Sequence, residues 1–214
     1  MSALEIDLKL KSNKSSDRRQ AAKSVGKLVL KELGTVLLDA YINEKRDFRT
    51  WETKVEMILS LGLIDYRAAL SEIELIVKAN LSHDMITYAA AQSYVRLKRK
   101  SLHDATPAIE LLKSGGLSLV SGALIPLGND RMTPSSDEII ELVKLSWDLH
   151  RRKDRIGNES GYLDPRYGLA LACAGWDKKL TTSFLSHCLA TYGKDISIKN
   201  VAENSLKGKY GKSR

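Results

Sequence analysis

Apolar side chains recur along this chain mainly at the three- and four-residue spacing of a helical face. Val25, Leu28, Val29, Leu33, Val36, Leu37 and Ala40 follow the i, i+3, i+4, i+7 rule. They predict one long N-terminal helix opened by Ser16 or Asp17. Gly26 and Gly34 interrupt that stripe, each weakening an isolated helix by about 1 kcal/mol relative to Ala, so tertiary contact must offset them. Three later segments read as variants of one helix: residues 50–62, 84–97 and 164–175. Each opens on a capping side chain (Thr50, Asp84, Asp164) and runs through small or apolar residues. The first ends in Leu61-Gly62 and the last in Ala174-Gly175, whereas the middle one runs into a basic cluster. Ala and Gly on the packing side let a neighbouring helix approach closely. Repeated along a chain, that arrangement stacks helix pairs into a curved solenoid.

The intervening segments fit the same scheme. Gly62 is expected to end its helix in left-handed geometry. Asp65 is expected to cap the next helix, with Leu70, Ile73, Ile76 and Val77 turned inward. Ala89, Ala90 and Ala91 form a small-residue strip after Ser82 or Asp84. Thr106-Pro107 reads as an N-cap followed by Pro at the first helical position. Gly115-Gly116 stops that helix, and residues 117–127 form a buried one. Ser135 and Glu138 have capping-box spacing and open a helix to about Lys153, with Ile139, Leu142, Val143, Leu145, Trp147 and Leu149 toward the core. Residues 156–161 are the longest polar interruption. Trp176-Asp177 leads into a helix over residues 178–191, and a short helix follows Asp195. Residues 1–16 read as a flexible polar arm, 17–205 as a single helical domain and 206–214 as a basic mobile tail.

The segment Asp164-Pro165-Arg166-Tyr167-Gly168-Leu169-Ala170-Leu171-Ala172-Cys173-Ala174-Gly175 resembles the second helix of the HEAT family of α-helical repeats. That helix often reads Asp-x-x-Val-Arg-x-Ala-Ala-x-Ala-Leu-Gly. Asp164, Ala170 and Gly175 sit at matching positions, while Tyr167 and Gly168 depart from the pattern. Residues 51–62 match its Leu-Gly end, and residues 84–94 its Asp start and small-residue strip. The resemblance covers about residues 50–192. It implies an all-α fold, a short right-handed α-solenoid of nine or ten helices in antiparallel pairs. The long N-terminal helix would cap one open end. It also implies recognition of a protein, peptide or nucleic acid on a concave face. A generic helical bundle uses the same residue types.

Composition agrees with helices: among 214 residues, aromatics are 6% and Pro only four, with 43% apolar and 28% charged residues. No apolar run approaches the roughly 18 residues of a membrane span. The N-terminus lacks the pattern of a secretory leader, and Cys173 and Cys188 give no disulfide framework, so a cytoplasmic protein is expected. The formal net charge of +8 is the one deviation, and it favours encounter with polyanions or acidic proteins.

Two basic runs lie at predicted helix ends, where cations complement the helix dipole: Arg96, Lys98, Arg99, Lys100, and His150 with Arg151, Arg152, Lys153 and Arg155. Aligned by stacking, these and the tail residues Lys207, Lys209, Lys212 and Arg214 would form one binding stripe. The four histidines (His83, His103, His150, His187) lack metal-ligand spacing, and no cofactor motif is present. Cys173 would need a nearby His to act as a nucleophile. Two Trp-Asp dipeptides, Trp147-Asp148 and Trp176-Asp177, resemble the aromatic and Asp equipment of helical-repeat DNA glycosylases, although Trp is more often a packing anchor. The function expected first is a non-catalytic adaptor or inhibitor that binds an acidic protein through the basic stripe. Binding of a nucleic-acid phosphate backbone by the same residues is the alternative.

Overall fold

A computed structural model describes residues 2–147, 164–192 and 196–210, and among these the chain is all-helical with no strand. Twelve α-helices are present among the described residues: α1 (Ala3–Leu10), α2 (Ser15–Leu28), α3 (Gly34–Glu44), α4 (Trp51–Leu63), α5 (Leu70–Ala79), α6 (Met85–Lys98), α7 (Thr106–Ser114), α8 (Leu117–Asn129), α9 (Ser136–Trp147), α10 (Pro165–Ala172), α11 (Lys178–Tyr192) and α12 (Ile196–Leu206). Each even-numbered helix packs on the next even-numbered one, from α2 through α12, and each odd-numbered helix packs on the even-numbered helix that follows it. One core runs along this arrangement, from Ile6 and Val25 through Ile58, Val95 and Leu124 to Ala170 and Ala202.

One contact recurs between helices of the even-numbered row. Ser60 Oγ on α4 donates to the Ala22 carbonyl on α2 at 2.7 Å, and Ser93 Oγ on α6 donates to the Ile58 carbonyl on α4 at 2.7 Å. In each case a glycine one turn beyond the carbonyl makes room. A Cβ on Gly26 would lie 2.6 Å from Ser60 Oγ, and one on Gly62 would lie 2.8 Å from the Ser93 backbone. Farther along, Ser205 Oγ donates to the Ala170 carbonyl at 2.6 Å. Gly122 lies against the Tyr88 carbonyl, and Gly168 against Leu124. Small residues thus bring the axes close, and a buried hydroxyl is satisfied by a carbonyl of the neighbouring helix.

The turns that follow α2 and α4 also repeat bond for bond. Val29 and Leu30 donate to the Gly26 and Val25 carbonyls, and Asp65 and Tyr66 donate to those of Gly62 and Leu61. A short 3₁₀ turn follows in both, Lys31–Leu33 and Arg67–Ala69. The long N-terminal helix is therefore two helices. Val29, in left-handed geometry at φ 54°, ends α2, and Leu28 and Val29 are more than half exposed. The apolar stripe served two helices separated by a turn. Gly34 begins α3 against the Tyr66 ring.

Several caps lie elsewhere than the sequence suggested. Gly62 is inside α4, and Asp65 takes the left-handed position, φ 52°. Thr50 makes no side-chain cap bond, while Asp47 caps the preceding turn and accepts from the Arg49 backbone. Ala105 precedes α7, where Asp104 accepts from the Thr106 N–H. Asp84 and Asp164 do cap α6 and α10, and Ser135 and Glu138 form their reciprocal pair before α9. The segment expected as a flexible arm carries α1. Ser2 and Glu5 form a capping box, and Ile6 and Leu10 are buried against the core. The helix after Asp195 reaches Leu206, and Tyr210 of the expected mobile tail lies against Gly175 and 5.0 Å from the Arg131 guanidinium.

Candidate functional site

The expected basic stripe separates into different roles. Arg96 is 5% exposed and reaches both carboxylate oxygens of Asp130 at 2.9 Å, while Arg99 reaches Asp130 at 2.7 Å. Asp130 follows α8, so this triad ties the end of α6 to the end of α8. Arg67 adds a bond to the Arg99 carbonyl at 3.3 Å. Arg96 and Arg99, expected to contact a partner, both bond Asp130, whose single carboxylate offsets one of their two positive charges. Lys98 lies 3.4 Å from Glu74 and 5.1 Å over the Tyr94 ring. Tyr94 first, and Glu74 after it, hold its ammonium above the ordinary value despite some desolvation. Lys100 is exposed. Lys207 and Lys209 are exposed too, whereas Arg151, Arg152, Lys153, Arg155, Lys212 and Arg214 lie outside the described residues.

The reactive residue types are occupied by packing. Burial raises both thiols, Cys188 to about 12 and Cys173 further, which is opposite to the shift a thiolate nucleophile needs. His103 Nδ1 lies 3.0 Å from the Thr133 carbonyl and 2.8 Å from its hydroxyl. His187 packs beside Trp147 at 5.6 Å, and His150 lies outside the described residues. No group of three His, Cys, Asp or Glu among the described residues is arranged to hold a metal ion. Trp147 meets Phe184 edge-on at 6.0 Å. The Trp176 indole N–H donates to the Met132 carbonyl at 2.8 Å, and Asp177 accepts from the Lys179 N–H at the head of α11. These are anchors and caps. Asp148 lies outside the described residues.

Exposed side chains also lie outside the basic runs. On α2, Ser16, Gln20, Lys23 and Lys27 are exposed, and on α4 Val55 and Leu59 are half-buried while Leu63 is exposed. The corresponding side of α6 is closed: residues 89–97 are all buried, as is almost all of α8. Exposed positions on the even-numbered row thus fall on α2 and α4 and on α12, where Ile196, Ser197, Lys199 and Asn200 are exposed, and hardly at all on α6 and α8. A second exposed group lies at the start of α4, where Phe48 before it and Trp51 at its first position are both exposed. Their turn is held by Asp47, which accepts from the Arg49 backbone and guanidinium. Those bonds bring the Asp47 carboxyl down to about 2. No spacing rule separates these exposed apolar positions from core ones, because Leu28, Val29 and Leu63 also fit helical periodicity.

A buried polar network stabilises the same end of the molecule. Glu44 at the end of α3 accepts from Arg18 and from Ser15, and Ser15 also bonds Thr53 at the start of α4. Burial alone would raise the Glu44 carboxyl, but the hydrogen bonds from Arg18, Thr50 and Ser15 together lower it.

No family model, curated protein or solved structure matches the chain.

Proposed function

We propose that this protein is a non-catalytic recognition scaffold, a short α-solenoid of the HEAT-like kind that binds an acidic protein partner. The recurrent Ser-to-carbonyl contact along the even-numbered row carries this reading. Repeated stacking of helix pairs builds an elongated body whose free helix faces are recognition surface. The Asp caps of α6 and α10 stand where the HEAT pattern places an Asp. The basic surplus supplies the steering, with Lys23, Lys27 and Lys31 among the exposed cations. Cys173 and Cys188 are buried with raised thiols, and Asp164 and Asp177 are engaged at helix starts.

Affinity capture from a nuclease-treated lysate tests the proposal. A stoichiometric acidic protein retained after nuclease treatment is the expected result. Capture that disappears with nuclease would favour the phosphate-backbone alternative and overturn this one.

A further inference from the structure

The chain beyond α12 turns back on the helix it follows. The Gly208 N–H donates to the Ser205 carbonyl and the Lys209 N–H to the Asn204 carbonyl, each at 2.9 Å. Gly208 takes the left-handed position at φ 69°, so a helix-ending turn reverses the direction of the chain. Lys207, Gly208 and Lys209 are exposed, whereas Tyr210 is half-buried. Tyr210 is therefore the side chain that this segment sets against the body of the molecule.

Two other turns of the even-numbered row are shaped to it. The 3₁₀ turn after α10 ends at Gly175. The three nearest atoms that a Cβ on Gly175 would meet all belong to Tyr210: Oη, Cζ at 2.9 Å and Cε2 at 3.5 Å. Among the described glycines only Gly208 has a positive φ, so the backbone at Gly175 suits alanine and Tyr210 alone stands in the way. The turn after α8 holds Arg131 in left-handed geometry at φ 51°. Its guanidinium carbon lies 5.0 Å from the centre of the Tyr210 ring. Burial raises the Tyr210 hydroxyl, and Arg131 opposes that rise. One side chain thus bridges the ends of α8, α10 and α12.

We propose that residues 207–210 are a strap and Tyr210 its latch, holding α12 as the detachable last helix of the row. Release of Tyr210 opens α12 as one local unit and bares the sides of α10 and α11 that it covers, while α2 to α8 stay folded. Position in the row favours this behaviour. α12 has neighbours on one side only among the described helices, and Ile196, Lys199 and Asn200 face solvent. Apart from the latch, it is held by Ile198, Val201 and Ala202 in the core and by the Ser205 bond to the Ala170 carbonyl. Units of a stacked array that contact one neighbour open before those that contact two. The device is independent of what the scaffold binds.

Hydrogen exchange of the full chain, read segment by segment by mass spectrometry, tests it. Tyr210→Ala should speed exchange over residues 196–206 by about tenfold or more and leave residues 51–63 within about twofold. Gly175→Ala should speed the same segment by a similar factor, because its methyl unseats the ring. Adding Gly175→Ala to Tyr210→Ala should change exchange by no more than about twofold, since the methyl then has nothing to displace. The proposal is overturned if either single variant leaves residues 196–206 within about twofold of the parent. It is equally overturned if Tyr210→Ala speeds residues 51–63 as much, which marks a global loss of stability. A full effect of Gly175→Ala in the absence of Tyr210 also overturns it, because the glycine would then serve its own turn and not the latch.

Discussion

The close approach of neighbouring helices depends on single atoms at Gly62 and Ser93. Adding one methyl at Gly62 places it 2.8 Å from the Ser93 backbone, so α4 and α6 must separate. Alanine ordinarily improves a helix interior by about 1 kcal/mol over glycine. Here Gly62→Ala is expected to destabilise by about 1–3 kcal/mol instead, through overpacking. Urea unfolding measures it, and a stabilising effect would show that the contact is loose. Ser93→Ala should cost about 1 kcal/mol for the lost bond to the Ile58 carbonyl. Both cysteines should resist thiol reagents in the native protein and react once it unfolds, because burial raises each thiol.

At the scale of elements, charge joins helices more than it covers them. Arg96 and Arg99 converge on Asp130, so Asp130→Ala would leave a buried guanidinium uncompensated at a cost of about 2–4 kcal/mol. Denaturant melts of Asp130→Ala and Lys100→Ala should differ accordingly, with the exposed lysine near neutral. The Glu44 network makes a pH-dependent contribution whose sign follows from its lowered carboxyl. Unfolding restores the ordinary value of 4.5, so the unfolded chain binds the proton more readily. The contribution is complete above pH 4.5 and is lost as the pH falls through the lower folded value. Glu44→Gln should therefore lower stability near neutrality and flatten the acid limb of the stability profile. An unchanged acid limb would place the acid sensitivity elsewhere.

Over the whole molecule, helical class and most element positions were legible, since periodicity and the Asp84, Asp164 and Ser135–Glu138 caps are local signals. The division of the N-terminal stripe was not. Val25, Leu33 and Leu37 are all buried and keep helical spacing across a turn that only backbone hydrogen bonds reveal. The basic run after residue 95 was legible as charge but not as role, because Asp130 reaches it only through the packing of α6 on α8. The aliphatic patch at the end of α2 was hidden because exposed and buried leucines share one periodicity.

The salt dependence of the partner complex tests the recognition account most directly. With the partner isolated by nuclease-treated capture, affinity measured at 50 and 200 mM salt should fall by no more than about tenfold, because exposed charge steers a protein partner while contacts that salt does not screen hold it. A loss of about 10³-fold or more across that interval, the signature of six or more phosphate contacts, would contradict it.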